Sequence, residues 1–388
     1  MTQSEFAGYR PPERPRRRRE GKDRPGRRRG GPQLDLSGSG RGSGGDREMP
    51  MVAAADFTSY YGKPIVKAPP WGTPIAIYLF VGGLAGGCGL LQAGAHVSGR
   101  PALRRNSRLT ALAALGVGTS ALIVDLGRPD RFLHMLRTIK PTSPMSLGTW
   151  ILTAYGVGAG LTGAAEFDRM TGERIPLGVL RRLRPGLERL GTVQSALLGA
   201  PLAAYTAVLL GDTAMPTWHG ARTVLPFLFV SSASLAAGGA GMITTPVAEA
   251  APARRLAVAG VLGDLVSARA LPRSMHPVEA EPLHEGKPGR WLKAAEVLTV
   301  AGGIGALLGR RSRLAAVAAG AALLGASALT RFAILQAGLD SAQDPRYTVQ
   351  PQKDRLAARR ARGQVGDSIT TGPRPDRPDR SDEDPQEP

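Results

Sequence analysis

Apolar runs long enough to cross a bilayer alternate along this chain with short polar connectors. A spanning helix needs about 20 mostly apolar residues, because it rises about 1.5 Å per residue through a hydrocarbon layer roughly 30 Å thick. Windows of this kind cover residues 74–97, 109–125, 147–165, 192–210, 223–242, 291–309 and 314–335. A further run at 256–266 is shorter, with Pro246, Pro252, Arg254 and Arg255 interrupting the sequence before it. With that run included, the pattern predicts an all-α integral membrane protein with about eight transmembrane helices. An even number of crossings puts both ends of the chain on one side.

The ends follow a different pattern. Residues 1–56 are rich in Arg, Gly and Pro, including Arg16 to Arg19 and Arg27 to Arg29. Residues 350–388 are mostly charged or Pro. Neither stretch holds enough apolar surface to offset the entropy of ordering, so both are expected to be disordered tails flanking a membrane domain at 57–349. The formal net charge of +19 raises the question of nucleic acid. Clustered arginine without aromatic stacking residues or a folded reading module does not support that partner, and anionic lipid head groups suit such tails better.

The run from Asp125 to Trp150 contains Asp125, Arg128, Asp130, Arg131, His134 and three prolines between two apolar runs. A loop so polar at a membrane surface is a candidate for function. Its segment Phe132 to Leu136 could lie in the interface as a short amphipathic helix. Ionisable residues within the spans are costly and call for a partner, a cavity or a ligand. They are Asp125, Glu166, Asp264, Glu296 and Arg331, with Tyr205 and His96 as milder polar cases. Asp125 and Glu166 sit at helix ends and read as interfacial caps or proton relays. Asp264 and Glu296 lie deeper and either pair with an arginine such as Arg331 or line a proton path.

Of the five histidines, only His96 falls inside or at the edge of a span, so a bis-histidine haem is not expected. The single cysteine, Cys88, cannot hold an iron–sulfur cluster, which usually takes four thiolates. Any cluster belongs to another polypeptide. An apolar interior with a few polar anchors suits an amphipathic ring with a hydrocarbon tail, such as a quinone. Tyr205 could hydrogen-bond a quinone carbonyl, or be a satisfied core tyrosine, and Asp125 could exchange the accompanying proton.

Several motifs occur in order and resemble those of the NrfD, or polysulfide reductase membrane subunit, family. They are Pro74 to Gly87, Asp125-Leu126-Gly127-Arg128-Pro129, Ser143-Pro144-Met145-Ser146 with Gly148 and Trp150, Ala204-Tyr205-Thr206 to Pro216-Thr217-Trp218, and Ala337 to Pro345. The resemblance spans about residues 57–349. It implies two four-helix bundles in a multi-pass subunit of the plasma membrane. It also implies menaquinone or ubiquinone bound as substrate, with no haem and no iron–sulfur cluster in this chain. The implied partners are a four-cluster ferredoxin-like subunit and a molybdopterin catalytic subunit.

The resemblance places Tyr205 at a quinone-contacting position, with Asp125, Arg128 and Trp150 as further candidates for the pocket. Where some members carry an Asn and a His early in the first helix, this chain has Pro74 and Ile77. The Asp125–Ser146 loop is the expected docking face for the cluster-bearing partner. There Arg128 and Arg131 either pair with that partner's acidic surface or satisfy the loop's own carbonyls and Asp130. The implied role is a quinone-interacting membrane anchor of an oxidoreductase. The alternatives are a purely structural anchor and a proton-translocating element.

Overall fold

The computed structural model describes residues 64–128, 130–174, 178 and 180–363. Among these there is no strand. Twelve α-helices and one 3₁₀ turn follow one another. The long helices are α1 (Thr73–Val97), α2 (Pro101–Asp125), α4 (Pro144–Met170), α5 (Leu180–Gly211), α7 (Leu225–Thr244), α8 (Ala251–Ala270), α10 (Gly286–Leu308) and α11 (Arg313–Gln343). The short ones are α3 (Asp130–Met135), α6 (Pro216–Ala221) and α9 (Pro277–His284), and α12 (Arg346–Ala361) closes the described residues. Six of the long helices are long and apolar enough to cross a membrane. The other two are α4, diluted by glycine and threonine, and α8, which carries Arg254, Arg255, Asp264 and Arg269.

The long helices form two four-helix bundles with the same internal packing. In the first, α1 packs on α2 and α5, and α4 packs on α5. In the second, α7 packs on α8 and α11, and α10 packs on α11. Helices α1 and α7 meet along the seam between the bundles. Lipid gives helices no hydrophobic reason to associate, so close backbone approach has to supply the contact. At Gly87 of α1 an added Cβ would lie 2.6 Å from both the Ala233 carbonyl oxygen and the Ala237 Cβ of α7. The seam therefore accepts no side chain at this position.

Two ends of the structure can be told apart by contacts. At one end, Arg100 Nη1 donates to the Ala248 carbonyl at 2.9 Å, Asn106 Nδ2 to that of Thr244 at 2.6 Å, and Arg313 Nη1 to those of Met242 and Thr245 at 2.7 Å each. At the other, Met215, Trp218, Leu271, Met275 and Leu283 share one buried cluster with Ile75 and Leu210. Helix α9 lies at this second end, called here the α9 face. Trp71 stacks on Trp218 with centroids 5.6 Å apart, and Trp218 Nε1 donates to the Ile334 carbonyl at 2.7 Å.

The segment around Phe132 is helical as expected, in α3. The structure departs from the sequence expectations in three places. Helix α2 begins at Pro101, not near Leu109, so Arg104, Arg105 and Arg108 lie within it. Helix α8 is a full 20 residues, because Pro252 occupies its first turn, where no intrahelical N–H is needed, and starts the helix instead of breaking it. The expected disordered tail from residue 350 instead continues as α12 to Ala361. Buried Pro351 anchors this helix, together with ion pairs from Arg346 to Glu281 at 2.6 Å and Arg355 to Glu279 at 3.5 Å and a polar contact from His276 Nε2 to Asp354 at 3.2 Å. The expected tail at 1–56 lies outside the described residues.

Candidate functional site

Each bundle has a polar interior, and the two are built differently. In the first bundle Arg108 of α2 is 1% exposed. Its Nη1 meets Glu166 of α4 at 2.9 Å and Glu188 of α5 at 2.7 Å. Nη2 donates to Thr192 at 3.1 Å and Nε to Gln92 of α1 at 3.2 Å. Arg169 joins the same two carboxylates, reaching Glu166 at 3.1 Å and also pairing with Glu188. All three guanidinium nitrogens of Arg108 are used, which is the condition under which a buried ion pair repays its desolvation. One side chain thereby ties four helices together, a structural clamp.

Tyr205 stands near the opposite end of this bundle, late in α5. Its ring packs against Gly148 of α4, where any Cβ would collide with the ring carbons. Leu122 of α2, Ile151 of α4 and the Tyr205 ring pack against the same buried cluster. Tyr205 is half-buried, and its hydroxyl has no hydrogen-bond partner among the described residues. The ends of α2, α4 and α5 thus bring Tyr205, Asp125 and Trp150 to one end of the bundle. Trp150 is committed elsewhere: its Nε1 donates to the Thr138 carbonyl at 3.4 Å, and Ser146 Oγ donates to the same carbonyl at 3.0 Å. These bonds hold the α3–α4 loop closed. Asp125 is half-buried and engaged, while Arg128 and Arg131 are exposed.

In the second bundle a cavity of about 220 Å³ opens among α8, α9, α10 and α11. Asp264, Thr330, His284, Lys293 and Glu296 supply its polar lining, and leucines and alanines most of the rest. Asp264 is 5% exposed and its Oδ1 has no hydrogen-bond partner. Thr299 of α10, beside it, also has an unpartnered hydroxyl. The counter-charge is Arg331 of α11, fully buried. Its Nη2 donates to the Phe229 carbonyl at 2.5 Å and its guanidinium lies 3.6 Å from the Phe229 ring centroid. Its Nε and Nη1 have no partner.

A family model described as Polysulphide reductase, NrfD matches residues 65–270, just over half of the chain. The chain belongs to the NrfD family. It is also 30% identical over 182 residues to the C subunit of the polysulfide reductase of Wolinella succinogenes. That alignment covers 44% of this chain and spans 56% of the relative's length. With several helices apolar enough to span a bilayer, this NrfD protein is a multi-pass membrane protein.

The family match contains Asp125, Arg128, Arg131, Trp150, Tyr205 and Asp264, and it ends at the last residue of α8. Of the two residues expected on a proton path, Asp264 is deep and faces the cavity. Glu296, midway along α10, lines the same cavity but is not buried: it is exposed and pairs with Arg269 at 3.4 Å, which corrects the expectation of a deep group. The sequence allows Arg331 as a partner for either acid, and its counter-charge is Asp264. Glu166, expected as an interfacial cap or proton relay, lies near the end of α4 and is buried in the clamp. Sequence reasoning missed Arg108 and Glu188. The available signal was their spacing: Glu188 and Thr192 are four residues apart, on one face of a helix. Among the described residues no group of three or more His, Cys, Asp or Glu side chains is placed to hold a metal ion.

Proposed function

We propose that this NrfD-family protein is the quinone-interacting anchor subunit of a multi-subunit oxidoreductase of the plasma membrane. In this reading two electrons pass between a menaquinone or ubiquinone, bound as substrate, and the iron–sulfur centres of a partner, while the two accompanying protons exchange with water by way of this chain. The observation that carries the reading is Tyr205. Its ring is locked by Gly148, its hydroxyl is left uncommitted, and it stands half-buried at the end of an apolar bundle. A phenol so placed fits a quinone carbonyl as a hydrogen-bond donor, and it costs no existing bond to use it. Asp125, at the end of α2 on the same end of the bundle, is the group suited to take or return the proton at the ring oxygen. Trp150 acts indirectly, by holding the α3–α4 loop.

Exposed Arg128 and Arg131 border that site, where a four-cluster ferredoxin-like subunit with an acidic surface would dock, itself bound to a molybdopterin catalytic subunit. Support for a complex of this kind comes from family membership and from likeness to a protein named as one subunit of a polysulfide reductase.

The test is quinone-linked turnover of the purified assembly. Tyr205→Phe and Asp125→Asn are each expected to lower it by at least about tenfold, the order expected for losing a positioned proton-transfer group, while the subunits stay together. Unchanged turnover in an intact assembly would instead establish a purely structural anchor.

A further inference from the structure

The cavity of the second bundle is separate from the Tyr205 site and contains a charge that the quinone reading does not use. Asp264 lies six residues before the end of α8, about 9 Å along the helix axis from its α9-face end. The cavity reaches that end, since Leu271, Pro272 and Leu283 line it. Asp264 Oδ1 lines it without a hydrogen-bond partner, and near that carboxylate Thr299 Oγ1 and the Nε and Nη1 of Arg331 are buried without partners as well. Orphaned polar atoms cost about 1–3 kcal/mol each, and a polar cavity beside them is ordinarily wet. At about 30 Å³ per water, 220 Å³ accommodates several.

The far side is closed. The Arg331 guanidinium is sandwiched between α7, whose Phe229 carbonyl it holds, and α1, where a Cβ on Gly83 would come within 3.1 Å of Nη2. Beyond it Ser232 and Ser327 are bonded to each other at 2.8 Å and fully buried. A fixed positive charge at the end of a wet passage is an electrostatic barrier to cations, protons included.

We propose that this cavity is a one-ended, water-filled inlet through which Asp264 exchanges protons with the α9 face, and that Arg331 is its closed end. The exchange is a simple transfer: hydronium gives its proton to the Asp264 carboxylate, leaving a carboxylic acid and a water, and the reverse step returns it. The other charged or titratable groups at the cavity are His284 of α9, Lys293 and Glu296 of α10, Arg269 of α8 and Arg331 of α11. The inlet serves one side of the membrane and does not conduct through it.

The protein's single cysteine, Cys88, is 1% exposed, so introduced thiols can be read against it in the full-length protein. Thr330→Cys places a thiol on the cavity wall, and Ser327→Cys places one beyond Arg331. Membrane vesicles of either orientation are treated with a charged methanethiosulfonate, and the full-length protein is weighed. The expected result is a gain of one reagent mass for Thr330→Cys from one vesicle orientation only, and none for Ser327→Cys from either. Absence of labelling at Thr330→Cys from both sides, as for a dry or lipid-filled pocket, overturns the proposal. Labelling of Thr330→Cys from both sides, or of Ser327→Cys from either, overturns the closed end. Reaction of Cys88 reports a variant that has lost its fold, and Ala268→Cys, on the same wall, then replaces Thr330→Cys.

Discussion

The two bundles solve the same packing problem and treat buried charge in opposite ways. In the first, every nitrogen of Arg108 has an acceptor, and two carboxylates converge on it from different helices. In the second, Arg331 makes one hydrogen bond, and Asp264 and Thr299 keep unpartnered oxygens beside a cavity. A saturated network has no bond left for a ligand, so its role is rigidity. An unsaturated one retains bonding capacity, and that capacity is what a proton, a water or a substrate can use. Burial alone therefore does not mark a functional site in this fold; unmet bonding at a cavity does.

Removing the centre of the clamp tests this contrast most severely. Arg108→Ala leaves Glu166 and Glu188 buried with only part of their compensation, and should cost about 3–5 kcal/mol, read as a large fall in the thermal midpoint in detergent. The seam between the bundles comes next. Gly87→Leu forces α1 away from α7 and should cost about 1–3 kcal/mol, measured in the same scan, with a native-like midpoint arguing that the bundles can slide. In the second bundle Asp264→Asn should cost less than Arg108→Ala, on the order of 1–2 kcal/mol, because fewer bonds are lost there. A loss as large as that of the clamp would mean that Asp264 is structural.

Smaller effects discriminate as well. Tyr205→Phe removes a hydroxyl without a partner, so the midpoint should move by no more than the scatter of repeat scans even where turnover falls. Arg269→Ala breaks an exposed pair with Glu296, should change stability by less than about 1 kcal/mol, and should leave labelling of the Thr330→Cys cavity wall intact.

Much of this arrangement was legible in the sequence, and what was not has a physical reason. Hydropathy located all the long helices, and the cost of intramembrane charge singled out Asp264 and Arg331 before any coordinates. Arg108 was hidden because an arginine three residues from Arg105 at the start of an apolar run has the appearance of an interfacial anchor. Its acceptors lie 58 and 80 residues away in sequence, so only tertiary structure joins them. Glu296 misled in the opposite sense: its position along α10 suggested depth, but its direction from the helix axis decides exposure, and hydropathy windows do not record direction. Residues 350–361 looked too polar to order, yet the Arg355–Glu279 ion pair, the Asp354–His276 contact and buried Pro351 hold them.

The repeated packing carries one more consequence. Helices α1 and α7 begin on the same side, and each set of four spans returns the polypeptide to the side from which it started. The halves are thus related by turning about the membrane normal, not by inversion through its plane. Inverted halves can exchange inward-facing and outward-facing shapes by rocking. Halves of like polarity instead set corresponding helix ends at the same face, so equivalent positions in the two bundles look toward the same side of the bilayer.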